Sequence, residues 1–123
     1  MLSTRPRVLL ADDYPDIVKA LSRLLSLDFE IVGSVTDGSA LLETAQRLQP
    51  DVIVLDVHLP NVDALEACRT MTRVNPEMKV IMFTALDPNA GQAFFQAGAS
   101  AFVSKLSSDD LVSTIKRLCA DRG

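Results

Sequence analysis

Five residues carry the chemistry this sequence could do. Asp12 and Asp13 are adjacent; Asp56 follows Val52-Ile53-Val54-Leu55; Thr84 follows Val80-Ile81-Met82-Phe83; Lys105 follows Ala101-Phe102-Val103-Ser104. Each polar group stands where a short, mostly apolar run ends. If those runs are parallel strands of one sheet, their carboxyl ends share an edge, and open α/β sheets bind ligands there. Three carboxylates so gathered repel. Two unit charges about 4 Å apart cost roughly 1 kcal/mol in water and about 4 kcal/mol at an effective dielectric near 20. Lys105 offers one compensating charge. A hard divalent cation offers two, and Mg2+ suits a site of a few carboxylates, waters and phosphate oxygens. One oxygen of Asp56 then stays free as a nucleophile toward phosphorus, the chemistry of aspartyl-phosphate intermediates. Lys105 would neutralise the phosphoryl oxygens in transfer, and the Thr84 hydroxyl would donate a hydrogen bond to one of them.

The elements that must position these groups can be read along the chain. Val8-Leu9-Leu10-Ala11 is a first strand, and Pro15 opens a helix with Ile17, Val18, Leu21, Leu24 and Leu25 at core spacing. Phe29, Ile31 and Val35 give a mixed pattern across Gly33, which predicts an edge strand. Asp37 caps a helix with Leu41, Leu42, Ala45 and Leu48 on its apolar side, stopped at Gln49-Pro50. The third strand, Val52–Leu55, is solidly apolar and so buried on both faces. The turn-rich segment Val57–Asp63 follows, and Asp63 caps a helix through Leu65, Cys68, Met71 and Thr72 that ends at Asn75-Pro76. After the fourth strand, Pro88-Asn89 begins a short helix carrying Phe94 and Phe95, with Gly98 just past its end. Adjacent phenylalanines cannot both face a core, so one is expected exposed. Ser107 and Asp110 predict a capping box for a last helix burying Leu111, Ile115 and Leu118.

Five β/α pairs predict a doubly wound, flavodoxin-like (βα)5 fold with a parallel five-stranded sheet. The apolar first, third and fourth strands and the mixed second fit the order 2-1-3-4-5. A Rossmann order would need a glycine-rich turn where Asp12-Asp13-Tyr14-Pro15 stands.

The 123 residues suit one domain over 1–123. No apolar run approaches a membrane span, and the first seven residues lack a secretory h-region, so a cytoplasmic address is the expectation. Cys68 and Cys119 fall in helical patterns and read as small buried hydrophobes. A net charge of −4 with no basic cluster beyond Lys116-Arg117 predicts no nucleic-acid surface.

In combination, Asp12-Asp13, Asp56, Thr84, Lys105 and Phe102 three residues before the lysine resemble the receiver domain of bacterial two-component response regulators. Leu10-Ala11-Asp12-Asp13, Asp56-Val57-His58-Leu59-Pro60 and Ala97-Gly98-Ala99 are also similar to that family. The resemblance spans Arg7 to about Arg117. It implies that Asp56 accepts a phosphoryl group from a sensor histidine kinase or phosphotransfer protein. It implies Mg2+ held by Asp13, Asp56 and the His58 main-chain carbonyl, with Asp12 acting largely through water. Lys105 would pair with the phosphoryl group, and Thr84 and Phe102 would be the switch. The altered face would be the fourth helix, fifth strand and fifth helix, where partners dock or a second copy pairs. Such a domain assists its own phosphorylation and dephosphorylation and is not an enzyme for an outside substrate.

The sequence departs from the family's pattern in three places. Leu106 stands where many receivers carry a proline after a cis bond. A non-proline cis bond costs about 3–4 kcal/mol, so a trans Lys105–Leu106 bond, or else visible strain, is predicted. Ala64 replaces a frequent glycine, which should only firm the start of the third helix, and the Thr84-to-Lys105 interval is slightly short, which predicts a reduced or mobile fourth helix. The missing proline, with Leu10–Asp13 and Phe95–Ala99, leans toward receivers of the NarL/LuxR-type transcription factors. The chain reads as either a free-standing receiver or the regulatory half of a longer DNA-binding protein. Competing functions are a receiver-like interaction module that is never phosphorylated, a haloacid-dehalogenase-like phosphatase and a flavodoxin-like cofactor binder. The intact acidic set opposes the first. The phosphatase needs a second aspartate where His58 stands, and the cofactor binder needs a Ser/Thr/Gly-rich loop after the first strand.

Overall fold

The computed structural model describes residues 5–85 and 91–120. The helix start predicted at Pro88-Asn89 lies outside them. The strands are β1 (Arg7–Ala11), β2 (Glu30–Val35), β3 (Val52–Leu55), β4 (Lys79–Thr84) and β5 (Ala101–Ser104). The helices are α1 (Pro15–Leu25), α2 (Leu41–Leu48), α3 (Ala64–Val74), α4 (Gly91–Gln96) and α5 (Asp110–Leu118). All neighbouring strands pair in parallel, in the order β2-β1-β3-β4-β5. This is the flavodoxin-like arrangement that the alternation predicts. The register slips between Val8 and Leu9 against β2, a bulge in an edge strand.

Side chains alternate across the sheet. Leu9, Ile53, Leu55, Val80 and Met82 face one layer with Leu41, Ala45, Ala67, Cys68 and Met71. Val8, Leu10, Val52, Val54, Ile81 and Phe83 face the other with Leu21, Leu25, Leu111 and Ile115. The central strands are therefore apolar on both faces because helices cover both. Burying each of the Val, Leu, Ile, Met and Phe side chains among them stabilises the fold by about 1.5–3 kcal/mol before chain entropy is counted. Burial pushes the Cys68 thiol up to about 11, so it behaves as a packed hydrophobe.

Helix ends follow local chemistry. Asp63 Oδ1 accepts from the Leu65 and Glu66 amides at 3.0 and 3.2 Å, as an N-cap should. Pro15 occupies the first turn of α1, and Gln49 ends α2 in a left-handed conformation. Gly98 has φ +108°, and a Cβ there would overlap the side chain of Thr72. Gly98→Ala should cost about 1–3 kcal/mol through strained backbone and displaced Thr72, read as a lowered denaturant midpoint.

Several expectations need correcting. No capping box forms at Ser107 and Asp110. Lys105–Ser107 is a 3-10 turn capped by Ser104, whose Oγ accepts from the Leu106 amide at 3.1 Å. Ser108 and Asp109 already have helical dihedrals, so no extended residue is present to serve as a box. Leu42 is exposed, because α2 turns that edge toward a groove shared with α3. Leu118 and Cys119 are half-buried where α5 leaves the sheet. Of the phenylalanine pair, Phe94 packs inward and Phe95 is 49% exposed.

Candidate functional site

The sheet hydrogen bonds run on into the acidic residues. The Asp12 amide donates to Val35 O at 3.0 Å, and the Asp56 amide donates to Ala11 O at 2.9 Å. Beyond the paired Leu55 and Ala11, Asp56 thus continues β3 beside β1, and Asp12 lies between β2 and β3. This is where the strand order reverses, the usual binding edge of such sheets. Asp12 and Asp56 are buried, while Asp13 is exposed. One carboxylate oxygen from each of the three lies within 4.8 Å of the others.

Lys105 reaches this cluster from β5. Its Nζ stands 3.0 Å from Asp12 Oδ2 and 3.3 Å from Asp56 Oδ2, with its side chain 16% exposed. Tyr14 and Phe83 flank the ammonium, with ring centroids 5.7 and 5.9 Å away. Each ring face adds an attraction of about 0.5–2 kcal/mol. No cis bond occurs among the described residues, and Leu106 is 91% exposed. The trans linkage therefore still delivers the lysine, held by two carboxylates and two rings.

Burial acts most strongly on the Lys105 ammonium and lowers its affinity for the proton. Asp12, then Asp56, together outweigh it, and the group is held above the ordinary value of 10.5. A raised folded pKa means the ion pair's stabilisation is complete below 10.5 and lost as pH rises through the higher folded value. The stability difference between wild type and Lys105→Met should thus be level from neutral pH to about 10.5 and shrink above it. Denaturant midpoints across alkaline pH measure this.

The remaining contacts are local. Tyr14 N donates to Asp12 Oδ1 at 2.9 Å, and His58 N donates to Asp56 Oδ1 at 3.0 Å. The His58 residue is exposed beside the site. Thr84 is fully buried at the end of β4, next to β5, where it pairs with Ser104. Phe102 lies two residues before Ser104 on β5, opposite Met82. It is half-buried, with its ring centroid 6.5 Å from that of Phe94. A Cβ on Gly91 would come within 3.0 Å of the Phe102 ring, so the ring abuts the first turn of α4.

The structure thus gathers Asp12, Asp13, Asp56 and Lys105 at one rim. Thr84 ends the neighbouring strand, and Phe102 packs behind against α4. Tyr14 and Ser104 were not singled out from sequence. An aromatic directly after two carboxylates could have suggested the first; the second shows only once the turn after β5 is known. The groove between α2 and α3, lined by Leu42, Ala45, Met71, Val74 and Met78, holds none of these groups. The chemistry belongs to the open rim.

The rim suits a dication. Three formal negative charges face one ammonium. Asp12 Oδ2 is buried without an aligned hydrogen bond; Lys105 at 3.0 Å supplies it charge but not a directed donor. An oxygen-seeking cation would satisfy such an atom. Asp12, Asp13 and Asp56 could hold it, with the His58 carbonyl on the adjoining loop.

The sequence matches the model of the response regulator receiver domain over residues 8–116. It is 33% identical over 102 residues to response regulator GacA of Pseudomonas viridiflava, covering 80% of this chain and 48% of that protein. It is 36% identical over 104 residues to a protein-glutamate methylesterase/protein-glutamine glutaminase of Nocardioides sp., covering 80% of this chain and 28% of that protein. The chain therefore spans about half or less of these relatives. The signal receiver domain of Mycobacterium tuberculosis NarL superposes with a TM-score of 0.87 at 29% identity, covering 98% of this chain and all of that one.

Proposed function

The chain belongs to the response regulator receiver domain family, and from that premise we propose that Asp56 is the phosphoacceptor of a Mg2+-dependent signalling switch. The donor is a phosphohistidine on a sensor kinase or phosphotransfer protein. An Asp56 carboxylate oxygen attacks phosphorus, the P–N bond breaks, and the imidazole leaves with the electron pair. The observation that carries this is the placement of Lys105 within 3.3 Å of a buried Asp56 beside two further carboxylates. Bound Mg2+ would neutralise phosphoryl charge. Lys105 exchanges its carboxylate partners for a phosphoryl oxygen, and the His58 amide holds Asp56 Oδ1 in place. Thr84 donates its hydroxyl to the new group.

Thr84 then draws β4 toward the phosphoryl group, and Phe102 turns into the space released. The face of α4, β5 and α5 changes and controls an output domain, a partner or pairing with a second copy. Moving the active state from about 1% to 99% requires a preference of roughly 5.5 kcal/mol. Charge-assisted hydrogen bonds to a dianion are of the right size. The domain acts from the cytoplasm and touches neither nucleic acid nor membrane itself. No helix among the described residues is long and apolar enough to cross a membrane.

Acetyl phosphate with Mg2+ tests this. The intact chain should gain the mass of one phosphoryl group, and EDTA should prevent it. A chain that stays unlabelled with Mg2+ present, while binding a partner, would favour the unphosphorylated interaction module.

A further inference from the structure

The loop between β3 and α3 follows the phosphoacceptor and carries the His58 carbonyl. It is tied at its outer end by the turn that precedes α2. The Gly38 amide donates to Pro60 O at 2.7 Å. Asn61 Nδ2 donates to Asp37 Oδ2 at 2.5 Å. Two successive residues of one loop thus grip two successive residues of another.

The grip is built at both ends. Asp37 Oδ1 accepts from the Ser39 amide at 2.8 Å, so the carboxylate is oriented by its own turn before it reaches across. Gly38 is buried, and a Cβ there would overlap Val62 and approach Pro60 O to 2.9 Å. Asn61 has φ +63°, a left-handed conformation that asparagine tolerates better than most residues. At the inner end, the His58 amide donates to Asp56 Oδ1 and the Leu59 amide donates to Asp56 O. Residues 57–59 are therefore strung between the phosphoacceptor and the clasp. A chain segment fixed at both ends holds its carbonyls in place; one fixed at a single end does not.

We propose that Asp37, Gly38 and Asn61 are positioning residues for magnesium, holding the β3–α3 loop so that the His58 carbonyl and Asp56 meet the ion together. They act through the loop, as outer partners orient inner ligands elsewhere. The clasp matters to function only if the rim binds Mg2+ as proposed above.

Titrating Mg2+ into wild type, Asn61→Gly, Asp37→Ser and the double variant, followed by NMR shifts of the loop amides, tests this without phosphorylation. Asn61→Gly removes the donor and keeps the left-handed freedom. Asp37→Ser can keep a bond to the Ser39 amide but is too short to reach Asn61. Each single variant should bind Mg2+ about ten-fold more weakly, the effect expected of a lost outer partner. The double variant should be no weaker than the worse single one, because both remove one interaction. Each variant should stay folded in EDTA, melting only a few degrees lower, as the loss of one exposed hydrogen bond requires. Wild type that binds Mg2+ while every variant binds equally well would overturn the clasp and leave the metal site standing. Losses that add in the double variant would also overturn it. Wild type that does not bind Mg2+ at millimolar concentration would overturn the clasp and the proposed function together.

Discussion

Asp56→Asn will take no phosphoryl group from acetyl phosphate under conditions that label the wild type to one per chain. The amide keeps the shape of the carboxylate and can still accept from the His58 amide at Oδ1. It lacks the nucleophilic oxygen. In the proposed transfer, catalysis would be positioning plus charge, so removing the attacking atom would leave nothing for Lys105 and the other carboxylates to assist. The expected loss is complete within the limits of intact-mass measurement, with folding retained in the same sample. Stoichiometric labelling of the variant would mean that another group accepts the phosphoryl.

The second large effect concerns the metal. Asp13 is exposed, whereas Asp12 and Asp56 are buried and already face Lys105. Asp13→Asn leaves two carboxylates against one ammonium, and little call for a dication. Its Mg2+ affinity should fall on the order of a hundred-fold, the upper end of what even an outer partner's loss causes. Phosphorylation should fall with it. Thermal unfolding gives a direct reading. At ten times its dissociation constant, Mg2+ should stabilise the wild type by about 1.4 kcal/mol. For a domain of this size that is a rise of roughly 5 °C. The variant should show no rise at the same concentration. In EDTA it should melt no lower than wild type, since one like charge has been removed. Equal magnesium shifts in both proteins would place the ion elsewhere.

Much of this arrangement was legible because the apolar runs and the polar residues ending them report the same fact. Val52–Leu55 and Val80–Phe83 can be continuously apolar only if both faces are covered. A parallel sheet then brings Asp12, Asp56, Thr84 and Lys105 to one edge without further assumption. What stayed hidden depends on contacts between distant segments. Asp37 reads as a helix cap, and Oδ1 does cap, but its Oδ2 reaches Asn61 across 24 residues. No local pattern carries that bond. α5 starts at Asp110, beyond the Ser107 cap its sequence pattern predicts, because Ser104 captures the Leu106 amide and a 3-10 turn forms first. Leu42 has helical spacing yet faces outward, since an eight-residue helix at the sheet's flank needs only part of its apolar arc.

The central claim is that the side chain at position 56, and no other carboxylate of the rim, forms the acyl phosphate. Borohydride reduction of the acetyl-phosphate-treated chain, followed by peptide mass mapping, tests it most directly. Reduction converts a phosphorylated aspartate to homoserine. The prediction is homoserine at position 56 in samples with Mg2+ and none in samples with EDTA. Homoserine at position 12 or 13, or labelling at 56 indifferent to EDTA, would contradict it.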